Sequence, residues 1–167
     1  MKIIRILFTA LVFILITSCS PDQEQNESKN TSSRYTSQYE YINSIDPRKT
    51  LFTLSWKAAQ STTTWKILTK ELGKKKAKNL VGKEIMSNLD RYLTEWTEGM
   101  ESAYKKYFSA EEMDQLSNNA YMIKNKDRIK LVGLYMQKNS SGIVKEITTE
   151  SLTSVYKRMV NNETNKI

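Results

Sequence analysis

The stretch Val81–Phe108, VGKEIMSNLDRYLTEWTEGMESAYKKYF, decides the fold class of this chain. Val81, Ile85, Leu89, Tyr92, Leu93, Trp96, Met100, Tyr104, Tyr107 and Phe108 follow one another at steps dominated by three and four. Lys83, Glu84, Asp90, Arg91, Thr94, Glu95, Glu98 and Glu101 fill the positions between them. A 3.6-residue period sorts those two sets onto opposite faces, which is the pattern of an amphipathic helix and not of a strand. The spacing predicts one helix of roughly 45 Å, softened at most at Gly99. So long an apolar stripe has to be covered by other helices. The expectation is therefore an all-α fold, a small bundle of about five helices, with Ile85, Leu89, Trp96 and Met100 in its core.

The flanking residues continue that reading in both directions. Ser109-Ala110-Glu111-Glu112 fits a capping box, Ser109 as N-cap with Glu112 three residues later, opening a helix over about 110–121. Ile129, Leu131, Val132, Leu134, Tyr135 and Met136 give a further helix, and no second strand is present to pair with this segment as a sheet. Asn139-Ser140-Ser141-Gly142 reads as a loop, after which helix resumes at about Thr148. Upstream, Asp46-Pro47 pairs a capping side chain with a proline whose missing N–H costs nothing in the first turn. Two helices over about 47–60 and 63–72 follow, separated by the Ser61–Thr64 run and stopped by Gly73. Lys74-Lys75-Lys76-Ala77-Lys78 then reads as a basic turn between helices. Two prolines and five glycines in 167 residues suit helices better than a sandwich or barrel.

The amino terminus has a different logic. Lys2 and Arg5 precede the apolar run Ile6–Ile16, and Ile16-Thr17-Ser18-Cys19 follows at once. Charge, apolar run and small residues in that order are a secretory signal. Ten or eleven apolar residues fall short of the roughly 20 that a spanning helix needs. An aliphatic residue, two small residues and a cysteine resemble the lipobox of bacterial lipoproteins. That resemblance implies a mature chain beginning at Cys19, with lipid on its sulfur and its amino group. It also favours the outer membrane, facing the periplasm, if the cell is Gram-negative, because Ser20 is not the aspartate of inner-membrane retention. Residues 1–18 are then the signal peptide and 19–45 a lipidated cysteine with a flexible tether. Residues 46–160 form the helical domain and 161–167 a frayed tail. The tether reading rests on Ser, Asn, Gln, Thr and Glu, which cannot bury enough apolar surface to offset ordering. Tyr35, Tyr39 and Tyr41 read as the place where it begins to dock on the domain.

The stretch Tyr104-Lys-Lys-Tyr107-Phe108-Ser109-Ala-Glu111-Glu112-Met113-Asp-Gln-Leu116 resembles a family of small secreted bacterial helical domains of unknown function. In that family a second half with a Phe-Tyr pair leads into a short loop ending in glycine. Leu134-Tyr135 and Gly142 are the matching positions here, with Asn118 to about Lys130 inserted and the loop proline absent. The resemblance implies an all-helical envelope domain and no particular activity.

Composition narrows the chemistry. The chain has no histidine and one cysteine, so triads, Cys-His pairs and zinc-hydrolase sites cannot be assembled from it. No cofactor, metal site or catalytic residue is expected. Glu95, Glu98 and Glu101 lie on the polar face of a helix, where carboxylates are ordinarily solvated. Glu111, Glu112 and Asp114 complement a helix dipole and lack the loop spacing of a calcium site. All five glutamates are expected to tolerate change to Gln. Trp56, Trp65 and Trp96 read as core, with Trp56 or Trp65 the one open to solvent. The net charge is +8, or +6 without Lys2 and Arg5. That excess suits anionic lipid, an acidic polymer or an acidic protein, and export argues against nucleic acid. Lys74, Lys75, Lys76 and Lys78 are the candidate contacts. The functional expectation is a non-enzymatic interaction or accessory module of the envelope, held to the membrane by its lipid and meeting an envelope protein partner. A carrier of a lipid or small apolar ligand comes second, and a glycan-acting enzyme third.

Overall fold

A computed structural model of the chain describes residues 38–161; the signal run, Cys19 and most of the tether lie outside the described residues. Eight α-helices follow in order: α1 (Gln38–Ser44), α2 (Pro47–Gln60), α3 (Thr63–Leu72), α4 (Lys74–Asn88), α5 (Leu93–Tyr107), α6 (Ala110–Gln115), α7 (Asn119–Lys124) and α8 (Lys126–Val160). A 3-10 turn, Leu89–Arg91, separates α4 from α5, and no strand occurs among the described residues. The fold is all-α. Its helices group into two compact units, one of residues 38–45 and 98–138, the other of residues 46–97 and 139–161.

In the second unit each helix start has a local cause. The Asp46 carboxylate accepts from the Lys49 amide at 3.0 Å, and Pro47 occupies the first turn of α2. Thr62 accepts from the Trp65 amide at 3.1 Å and opens α3. Gly73, at φ 78°, ends α3 and begins α4 in a single residue. Leu51, Ala59, Leu68, Ala77, Val81, Ile85, Leu89, Ile147 and Val155 are fully buried here, with Trp96 1% exposed.

The expected single helix over 81–108 is broken, and at Leu89–Tyr92 instead of Gly99. The Tyr92 amide closes the turn on the Leu89 carbonyl at 3.0 Å. Side chains from α8 hold that turn: Asn88 Nδ2 donates to Ser151 Oγ at 3.0 Å, the Tyr92 hydroxyl donates to Glu150 at 3.1 Å, and Arg91 pairs with the same carboxylate. Tertiary bonds to a distant segment outweigh the local preference for a continuous helix.

In the first unit α1 supplies Tyr41 and Ile42, 4% and 0% exposed, so the end of the segment read as tether is folded. The Tyr41 ring meets Tyr104 edge-on at 5.3 Å. The capping box at Ser109 is present in both directions, with Ser109 N donating to Glu112 at 2.9 Å and Glu112 N to Ser109 Oγ at 3.3 Å. The helix expected over 110–121 is two short ones, because Asn118 caps a new start by accepting from the Ala120 amide at 2.8 Å.

Asn139–Gly142 is not a loop. It lies inside α8, which runs without interruption from Lys126 to Val160. Ser140 is buried, and Ile143, Val144 and Ile147 bury immediately after it. Burying that stripe outweighs the weak helix preference of Asn, Ser and Gly. Gly142 therefore does not end a loop, as the second half of the family resemblance would have it.

Candidate anionic contact site

Four lysines singled out from the sequence sit at the start of α4, and they form a helical turn where a loop had been expected. Lys74, Lys75 and Lys78 are exposed and Lys76 is half-buried. The first turn of α4 contains no acid, and Gly73 offers it no side-chain cap. A cation in a first turn opposes the helix dipole by roughly 0.3–1 kcal/mol, less where the last carbonyls of a preceding helix lie close, as those of α3 do here. Local helix stability would place acids at this end, as α6 does with Glu111 and Glu112.

Three further lysines extend the charge. Lys66 and Lys70 lie one turn apart on the solvent side of α3, opposite the fully buried Leu68, and Lys83 lies seven residues beyond Lys76 on α4. From Lys66 to Lys83 the chain carries seven lysines and one acid, Glu71. The sequence reading missed Lys66, Lys70 and Lys83. The four-residue spacing of Lys66 and Lys70 falls in the helix already expected over 63–72, whereas the seven from Lys76 to Lys83 becomes legible only once 74–78 is read as helix.

The ion pairs of the arginines lie elsewhere. Each arginine among the described residues has a carboxylate: Arg48 with Asp90, Arg91 with Glu150, Arg128 with Glu112 and Arg158 with Glu84. Among the described residues no ion pair involves Lys66, Lys70, Lys74, Lys75, Lys78 or Lys83. An open concavity of about 570 Å³ lies at the start of α4, lined by Lys74, Lys75, Lys76 and Lys83 together with Leu72 and Leu80. Ile67, 39% exposed, stands beside Lys66 on α3.

The acids set aside as solvated divide into two kinds. Glu112 accepts from Arg128 at 2.6 and 2.7 Å and from the Ser109 amide, and Tyr121 donates to it at 3.3 Å. The Arg128 guanidinium, and next the Ser109 amide, hold its carboxyl down at about 2. Arg128 also donates to the Tyr107 carbonyl at 3.0 Å through Nε and lies 4.2 Å over the Phe108 ring. This is a clamp on the end of α5, so Glu112 does not belong with the freely exchangeable acids. Glu111 accepts from the Ser109 hydroxyl at 2.7 Å, which lowers its pKa. Glu101 pairs with Lys105, one turn on, at 3.2 Å.

Trp56 and Trp65 are both half-buried and meet edge-on at 5.3 Å, with Phe52 stacked on Trp56 at 6.5 Å. Trp96 is core. Among the described residues no three acids, cysteines or histidines gather as metal ligands, and no helix is long and apolar enough to cross a membrane. No family model, no curated protein and no solved structure matches this chain.

Proposed function

We propose that this chain is a lipid-anchored protein of the bacterial envelope that works by binding, presenting the basic α3–α4 hairpin to an anionic partner. One observation carries the reading. Seven lysines stand between residues 66 and 83 with a single acid, and those opening α4 are placed where they do not help the helix. A solvated surface that served only solubility would have no reason to concentrate one sign of charge at a helix start. The lipobox resemblance at Ile16–Cys19 supplies the location, with Cys19 as the acylated first residue of the mature chain. Export by this route keeps nucleic acid out of reach and leaves lipid headgroups, envelope polymers and acidic envelope proteins as partners.

Two measurements test the proposal. Cys19→Ser should leave an unprocessed precursor without diacylglycerol, and lipid found by mass spectrometry on that variant would refute the anchor. Crosslinking in intact envelopes, followed by purification from detergent, should recover anionic partners with the native chain. Recovery should fall when Lys74, Lys75 and Lys78 are reversed to Glu. Unchanged recovery with all three reversed, together with unchanged attachment to anionic vesicles, would refute the hairpin as the binding surface.

A further inference from the structure

We infer that the α3–α4 hairpin docks on the phosphate headgroups of an anionic bilayer, so that the domain lies against the membrane instead of ranging at the length of its tether. This rests on the reading that the hairpin is the binding surface, and it commits that surface to one partner. The first argument is the kind of cation. Arginine forks suit fixed, planar carboxylates, whereas lysine is a compact charge on a flexible stem. All four arginines among the described residues pair within the chain, and the cations exposed on the hairpin are lysines, with Glu71 the one exposed acid among them. Such a set fits a laterally mobile layer of phosphates better than a fixed acidic protein face.

The second argument is what lies among the lysines. Ile67, 39% exposed, lies one turn from Lys70 and Glu71 on α3. An exposed apolar side chain on a charged helix gains nothing from an acidic polymer in water. At a bilayer interface it enters the acyl boundary while the lysines stay at headgroup level. The concavity has a similarly mixed lining, Leu72 and Leu80 together with Lys74, Lys75, Lys76 and Lys83. A lipid offers the matching pair, phosphate for the lysines and glycerol or acyl carbon for the leucines.

The test uses the full chain reconstituted into vesicles of phosphatidylcholine, with or without phosphatidylglycerol. A water-soluble amine reagent then acylates exposed lysines, and mass spectrometry gives the rate at each. Lys66, Lys70, Lys74, Lys75, Lys78 and Lys83 should react at least about tenfold more slowly when phosphatidylglycerol is present. High salt should restore their rates by screening. Lys145, exposed on α8 outside the hairpin, should react alike in every case. In a Lys74→Glu/Lys75→Glu/Lys78→Glu chain of unchanged helicity, Lys66, Lys70 and Lys83 should lose their protection. Equal rates in both vesicle types would overturn the inference. If they are equal while the same reversals abolish capture of an acidic envelope protein by crosslinking, only the headgroup assignment fails. If neither measurement responds, the hairpin is not a binding surface and both readings fall.

Discussion

Gly73 holds two helix ends on one residue, and its backbone, φ 78° and ψ 148°, is a conformation nearly reserved for glycine. An added Cβ would meet nothing within 4 Å, so the cost of Gly73→Ala is backbone strain alone. It should destabilise by about 1–3 kcal/mol, measured as a fall in the urea midpoint. The other residue with a clear energetic role is Glu112. Its folded pKa of about 2 lies below the ordinary 4.5, so its contribution is present above pH 4.5 and is lost as pH falls from there towards 2. Solvent reaches a third of the side chain, and screening limits the loss in Glu112→Gln at neutral pH to about 1–2 kcal/mol. Urea titrations of the native chain and the variant should therefore differ at pH 7 and converge near pH 2. Equal midpoints at pH 7 would show that the clamp contributes nothing. Nothing local in the sequence reveals this role, since Arg128 lies sixteen residues away and periodicity says nothing about which acid an arginine will choose.

At the level of elements, what was legible in the sequence is what depends on neighbours. Asp46-Pro47, Gly73 and the Ser109–Glu112 box act over three or four residues, and each stands where the chemistry places it. The break at Leu89–Tyr92 was not legible, because the apolar spacing runs through it and its cause lies on α8, about sixty residues on. Asn139–Gly142 misled for the opposite reason: weak local formers are carried by the buried stripe after them. Gly142 is exposed with no atom within 4 Å of an added Cβ, so Gly142→Ala should stabilise α8 by about 0.5–1 kcal/mol. An unchanged melting temperature would count against helix at that point. The basic site was half legible, its lysines found but assigned to a turn. As helix residues they oppose the dipole, so Lys74→Glu/Lys75→Glu should hold or raise the melting temperature while weakening attachment to anionic vesicles. Loss of both together would mean that the lysines serve the fold.

Across the whole molecule the fold class followed from one stripe of residues, and all four of the core positions expected from it are buried, Ile85 and Leu89 completely. Leu89→Ala should accordingly cost about 2–5 kcal/mol, checked by chemical unfolding. Composition also sets how the molecule responds to pH. The chain contains no histidine, the one side-chain type whose ordinary titration falls between about pH 6 and 8, and the Glu112 carboxyl is held down at about 2. Attachment through the lysines should then be flat over that range on a phosphodiester lipid such as phosphatidylglycerol, whose charge is constant there. On a phosphomonoester surface, which gains its second charge near pH 6, attachment should strengthen as pH rises through that value. Vesicle binding measured at several pH values with each lipid would separate the two contributions. A pH dependence on phosphatidylglycerol itself would require a titrating protein group, and would remove the lysine hairpin as a sufficient account of binding.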